Sequence, residues 1–376
     1  MSSQKIKVAV DTRDLQIAAS GARSYLESVI SEFKKSNTDF TFYFLETNRK
    51  AYTGNRILLK LGEQIRYFYW KQIQLPRKAR QLKCEIIFCS DFMVPYYSHG
   101  IKTIPVFHDA FFWEYPQHYN KYWLFLFKQL GLAAAKKASF VVTPTLYTRA
   151  QLSKYTSIPL EKMIAVNEAP KTIQPSINEP ASNLVASILN TDYVLHVGTF
   201  EKRKNLPSLI KAFKIVKENG LPHLKLVLVG KASNKITLDD SKAIQDAIIQ
   251  YQLQNDVILT GYLSDTMVEK LYQNAKLYAF PSINEGFGIP ILEAFKYQVP
   301  VVISNNTCLP EVAGMAAIAF DPYNTEDIAD AILTVLSNPT IQEKYKQLGQ
   351  EELKKYSWEK STNELLDLFK KAVTLS

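Results

Sequence analysis

No run of apolar residues in this sequence approaches the ~20 that a helix needs to cross a bilayer. Cysteine is scarce. Cys84, Cys89 and Cys308 fit neither a disulfide framework nor a metal-ligand spacing, which points to a reducing cytosol. The start, MSSQKIKVAVDTRDL, goes straight into a strand and lacks the apolar core of a signal peptide. A cytoplasmic chain, at most peripheral to the inner membrane face, is therefore expected. No internal repeat or low-complexity segment stands out. The fingerprint G-x-G-x-x-G does not occur, which counts against a dinucleotide dehydrogenase. What is present is an ordinary globular composition, 47% hydrophobic and 22% charged. At 376 residues the chain exceeds what one core usually serves, so two domains are expected.

The charge is lopsided. Residues 1–180 carry 25 Lys+Arg against 14 Asp+Glu, a net of +11, and the remainder carries 20 against 22, or −2. Between Arg49 and Lys83 lie ten basic residues and one acid, Glu63, together with the stretch RYFYWKQ, Arg66 to Gln72. That mixture suits an anionic membrane surface, with aromatics at headgroup level and Lys/Arg on phosphates. A solvated basic face over core aromatics carries equal weight. Nucleic acid ranks last, because no recognition motif accompanies the charge.

Apolar runs alternate with helical patterns along the whole chain. KVAVD (7–11), FTFYFLE (40–46), EIIFCS (85–90), TIPVFHD (103–109) and FVVTP (140–144) punctuate the first half. YVLHVG (193–198), LKLVLVG (224–230), DVILTG (256–261), LYAFPS (277–282) and PVVIS (300–304) punctuate the second. Strands that are continuously apolar are buried on both faces, which means parallel sheets covered by helices. The expected fold class is α/β, two doubly wound Rossmann-like domains facing across a cleft. Residues 1–170 form the first domain, a Pro-, Asn- and Ser-rich linker covers 171–184, and 185–356 form the second. Ser357 caps a closing helix over 357–376.

INEGFGIPILEAF (283–295) carries two acids, Glu285 and Glu293, around two glycines and a proline. LYAFPS before it is a strand, and Pro290 suits the first turn of the next helix, where its missing N–H costs nothing. Glu285 then lies in the strand-to-helix loop and Glu293 about one turn into the helix. Glycine lets backbone approach a ligand, and a helix start favours phosphate. Two acids would repel phosphate alone, but carboxylates accept hydrogen bonds from sugar hydroxyls. A sugar, a diphosphate and a ribose in a row would use all of these groups. The bland alternative is a glycine turn with solvated acids.

Glu285-Gly286-Phe287-Gly288-Ile289-Pro290, with Glu293 eight positions after Glu285, resembles the signature of the retaining glycosyltransferases of family four, which have the GT-B fold. The resemblance extends over most of the chain and is strongest from about 193 to 325. It implies that Glu285 meets hydroxyls of the transferred sugar, that Glu293 holds the ribose, and that amides of Gly286, Phe287, Gly288 and Ile289 meet sugar and phosphate. HVGTFEKRKNLPSLIKAF (196–213) resembles the family's phosphate loop, after a strand ending at Gly198 and Thr199. The role of taking the donor phosphates is carried to Arg203 and Lys204, since basic residues over a strand end neutralise a diphosphate. In VFHDAFFWEYP (106–116), His108 resembles the family's histidine near the transferred sugar, and Asp109 would orient it or bind acceptor. Gly21-Ala22, ahead of RSYLESVISEF, resembles the glycine loop beside the diphosphate, without a second glycine. Gly230 in GKAS and TGYLSD end two strands bordering the base, with Tyr262 and Leu263 backbone groups open to its edge. The closing helix would cross back to the first domain.

The expected activity is transfer of a sugar from a nucleoside diphosphate donor to a saccharide or lipid-linked saccharide, with retention, in polysaccharide biosynthesis. UDP-glucose stands first among donors, then UDP-N-acetylglucosamine and GDP-mannose. No Asp-x-Asp pair stands near a strand end, and the basic loop can play a metal's part, so no cofactor and no metal are expected. A nucleotide-sugar epimerase on the same fold would convert donor alone to its epimer. A non-catalytic sugar-nucleotide-binding protein would bind without turnover.

Overall fold

The structure, a computed structural model, describes residues 5–17, 21–35, 39–47, 49–52, 54, 56–118, 121–171, 182–233 and 235–374. The chain divides into two compact units, residues 1–168 with 357–376, and residues 169–356. Most of the expected linker, residues 172–181, lies outside the described residues.

The first unit contains β1 (Ile6–Asp11), α1 (Gly21–Lys35), β2 (Phe40–Leu45), α2 (Ile57–Tyr69), β3 (Ile86–Cys89), β4 (Lys102–Pro105), α3 (Lys121–Lys137), β5 (Val141–Thr143) and β6 (Met163–Ala165). Its sheet runs β2-β1-β3-β4, all parallel, and β5-β6 form a parallel pair. A bridge between Val106 and Val142 joins the two. Val8, Ala9 and Val10 of β1 and all of β3 are buried, because both faces of these central strands are covered. The order reverses between β1 and β3, so their carboxyl ends, Asp11 and Cys89-Ser90-Asp91, sit at a topological switch point.

The second unit contains β7 (Tyr193–Val197), α4 (Leu206–Glu218), β8 (Lys225–Val229), β9 (Val257–Gly261), β10 (Leu277–Phe280), α5 (Ile289–Lys296), β11 (Val301–Ser304) and β12 (Ala317–Phe320). Its six parallel strands run β12-β11-β10-β7-β8-β9, with the switch between β7 and β10. Leu209, Ile210, Phe213 and Val216 put one face of α4 into the core formed by these strands.

The chain closes with α6 (Trp358–Thr374), which belongs to the first unit. Ser357 caps it, accepting from the Lys360 amide at 3.1 Å. Its Phe369 packs on Phe33, Phe40 and Phe88, with ring centroids 5.5–6.2 Å apart. Two strands are absent from the sequence reading, β6 and β12. Each is short and lies at a sheet edge, so neither carries the long, doubly buried apolar run by which the others are recognised.

Candidate active site

In the second unit, two strand ends at the switch point bring together residues 81 positions apart in sequence. After β7 a 3₁₀ turn, Lys202–Lys204, lays its side chains over the loop that follows β10. Lys204 Nζ lies 2.6 Å from one oxygen of Glu285, and Arg203 Nη1 lies 2.7 Å from the other. Arg203 also donates from Nε to Glu201 at 2.8 Å and from Nη1 to the Asn284 carbonyl at 3.3 Å, while its own carbonyl accepts from Ile283 N at 2.8 Å. The two loops are thus stitched by side chain and backbone alike.

Electrostatics follow from this packing. Burial alone would raise the Glu285 carboxyl, but Arg203 and Lys204 overrule it and hold it at about 2. Burial also pushes the Lys204 ammonium down from its usual value, and Glu285 opposes that only in part. Lys204 Nζ lies 4.9 Å from the centroid of the Phe280 ring. The arrangement sets a buried ammonium and a half-buried guanidinium on an acceptor-only carboxylate.

The Glu285-to-Ile289 loop ends at Gly288, whose φ of +113° suits only glycine and turns the chain into α5. Phe287 is buried and meets Tyr356 edge-on at 6.0 Å, so its ring serves the core. The Cys308 thiol fastens the loop from below, 3.3 Å from the Glu285 carbonyl and 3.1 Å from that of Phe287. Gly198 and Gly230 follow adjacent strands, with Thr199 beside the first. Tyr262 is exposed after β9, Leu263 is half-buried, and Lys231 Nζ lies 5.8 Å from the Tyr262 ring.

Glu293 sits in another setting. It accepts from the Tyr272 hydroxyl at 3.2 Å and lines a recess with Lys171 and Asp265, which pair at 2.5 Å. Burial without a direct cation raises its carboxyl, the opposite of Glu285. The two signature acids are therefore electrostatically distinct.

In the first unit, His108 follows β4 with both ring nitrogens facing acceptors. Nδ1 is 3.0 Å from a Glu168 oxygen and Nε2 is 2.9 Å from the Ser90 carbonyl. Two acceptors call for two N–H donors, so this geometry holds the imidazolium. Burial would lower its pKa, but Glu168, the Ser90 carbonyl and Asp109 raise it. Asp109 turns back on its own loop and accepts from Phe111 N at 2.9 Å. Gly21 and Ala22 open α1, and that helix places Tyr25 edge-on to His108 at 5.0 Å.

Glu168→Gln keeps an acceptor but removes the charge. The His108 titration, followed by NMR, is expected to move down toward the ordinary value near 6.5. A raised histidine stabilises the fold fully below its unfolded pKa and loses that contribution as pH rises through the folded one. The melting difference between wild type and variant should therefore shrink in alkali. A His108 titration indifferent to the substitution would refute this assignment.

Beside His108 lies an ionic cluster that no sequence pattern marks. Lys71, fully buried, sits 2.6 Å from Asp11 and 2.5 Å from Asp91, at the carboxyl ends of β1 and β3. Asp14 accepts from the Ser90 hydroxyl at 3.1 Å, and burial with Asp91 nearby pushes its carboxyl up to about 7. Glu168, Tyr272 and Lys71 escape sequence reading for one reason: each acts through a partner remote in sequence. His196 likewise reads as a plain strand residue. It is buried, its Nδ1 lies 3.0 Å from the Ala279 carbonyl, and burial and Lys204 lower its pKa to about 4, so it is neutral.

The fold and this site define a class. A family model described as "Glycosyl transferases group 1" matches residues 185–355, and one described as "Glycosyltransferase Family 4" matches residues 19–167. Together they span most of the chain, which belongs to this group of glycosyltransferases and has their GT-B fold. The O-antigen chain mannosyltransferase B of Escherichia coli is 26% identical over 333 residues, covering 86% of this chain and 85% of that protein. The serotype-specific mannosyltransferase WbdA of Escherichia coli is 28% identical over 232 residues, 60% of this chain but only 28% of that longer protein. Among solved structures, sucrose-phosphate synthase from Thermosynechococcus elongatus aligns with a TM-score of 0.76 at 15% identity, covering 99% of this chain and 100% of that one. Likeness at that identity concerns the fold alone.

Proposed function

We propose that this glycosyltransferase moves a hexose, with retention and without a metal ion, from a nucleoside diphosphate donor to a saccharide or lipid-linked saccharide in polysaccharide assembly. The observation that carries the reading is the Arg203–Glu285–Lys204 cluster, with Glu285 and Lys204 buried, at the switch point of the second unit's sheet. Arg203 and Lys204 neutralise the departing diphosphate, a role that in other sites falls to a metal. Glu285 accepts from hydroxyls of the transferred sugar, and Glu293 from the ribose. The bond from the anomeric carbon to the phosphate oxygen breaks as the acceptor oxygen attacks on the same face. The acceptor proton passes to the departing phosphate oxygen.

For the donor, sequence reasoning alone places UDP-glucose first. The mannosyltransferase relatives favour mannose, so GDP-mannose moves ahead of it here. A thermal-shift screen over UDP, GDP, ADP and their sugars tests this, because a ligand at a hundredfold its Kd stabilises by about 2.7 kcal/mol. GDP-mannose is expected to give the largest shift, and transfer is expected to persist in EDTA. Stabilisation by UDP-glucose alone would overturn the donor, and loss of transfer in EDTA would overturn metal independence.

A further inference from the structure

Helix α2 is rich in apolar residues, yet none of its described side chains is buried. Leu58, Leu61, Ile65 and Tyr69 are 82%, 54%, 63% and 50% exposed. Their spacing puts them on one stripe of the helix, ~20 Å long at ~1.5 Å per residue. Soluble surfaces scatter such residues singly, and a contiguous apolar stripe marks a contact surface.

The opposite face of α2 is anchored, so rolling the helix cannot hide the stripe. Glu63 pairs with both Arg13 and Arg66. The Tyr67 hydroxyl donates to Asp91 at 2.6 Å, and Tyr67 and Phe68 pack on Leu124 and Phe127 of α3. That second helix exposes Phe125 and Leu126 in turn.

These contacts bear on both sequence readings of RYFYWKQ. Trp70 is buried with its Nε1 donating to Asp11 at 3.0 Å, and Lys71 is spent on Asp11 and Asp91. Trp70 is core, Tyr67 and Phe68 are half-buried, and the outward apolar groups are Tyr69 and the aliphatic ones before it. Charge still accompanies them: Arg56 and Lys60 are exposed on or beside the helix, and Arg77, Arg80 and Lys83 are exposed further along.

We propose that the α2 stripe docks this unit on an anionic lipid bilayer, its leucines and Ile65 entering the headgroup–acyl boundary while Arg56 and Lys60 meet lipid phosphates. Apolar groups flanked by cations are the composition an interfacial helix needs. A second copy of the chain is the less favourable occupant, since its own cations would face these. The inference deepens the lipid-linked acceptor reading, but its test reads binding rather than transfer, so the two fail separately.

The test is co-sedimentation with phosphatidylcholine vesicles, with and without phosphatidylglycerol, beside light scattering of the free protein. Wild type is expected to favour the anionic vesicles by at least about tenfold and to lose that preference in high salt. The double variant Leu61→Glu/Ile65→Glu should bind them at least about tenfold more weakly with an unchanged melting temperature, both positions being exposed. Lys60→Glu should weaken binding only at low salt. Wild type that ignores phosphatidylglycerol, or a double variant that binds as wild type does, would overturn the proposal. So would a wild-type dimer that the double variant turns into monomer, because the stripe would then be a self-interface.

Discussion

Glu285→Ala and Lys204→Ala are each expected to lower sugar transfer by at least about tenfold while the chain stays folded, about the worth of one charge-assisted hydrogen bond. The geometry explains why both ends of the pair matter. Without Glu285, the Arg203 and Lys204 charges lose the carboxylate that lies between them at 2.7 and 2.6 Å, and under the proposed function the sugar loses its acceptor. Without Lys204, the buried carboxylate keeps Arg203 alone, and under the proposed function the diphosphate loses a cation. Removing one partner of a buried pair costs about 3–5 kcal/mol in stability, so melting curves belong beside the kinetics. Glu285→Gln separates shape from charge, since it keeps an acceptor in the same volume. The pH dependence has a definite sign. A carboxyl held at about 2 stabilises the fold above its unfolded value near 4.3, and that contribution disappears as pH falls toward 2. It amounts to roughly 3 kcal/mol at most, and the burial cost on Lys204 offsets part of it. Full turnover by both alanine variants with mannose and glucose donors would end the assignment.

The second large effect concerns backbone rather than charge. Gly230 has φ +152°, and a Cβ there would stand 1.8 Å from the carbonyl oxygen of Gly198. Two strand ends meet at that point. Gly198 N donates to the Val229 carbonyl at 2.9 Å, and Gly230 N donates to that of Gly261 at 3.1 Å. Because the obstacle is main chain, no side-chain rotation can relieve Gly230→Ala, and the β7 end must move away from β8. The expected loss is about 3 kcal/mol, a fall in melting temperature of roughly 10 °C for a unit of this size. The same movement would displace the turn carrying Arg203 and Lys204, so the sugar-nucleotide thermal shift should vanish as well. A Gly230→Ala protein that melts and binds as wild type does would show that this approach of strands has no bearing on the site.

Sequence alone determined the elements whose signal is local. Runs such as EIIFCS and LYAFPS announce strands because a strand covered on both faces must be apolar at every position. INEGFGIPILEAF announces a strand-to-helix turn because glycine, acid and proline each answer a requirement within a dozen residues. Tertiary structure decided whatever depends on which distant residues share a space. It placed Lys204 on Glu285, set Glu293 against Tyr272, and gave His108 the Glu168 carboxylate. It also turned the Trp70 and Lys71 side chains inward and left Leu58 and Ile65 outside. The reason is range. Hydrophobic period and turn chemistry are written over a few neighbouring positions, whereas a pKa or a buried ion pair depends on distances between groups that only the folded chain brings together.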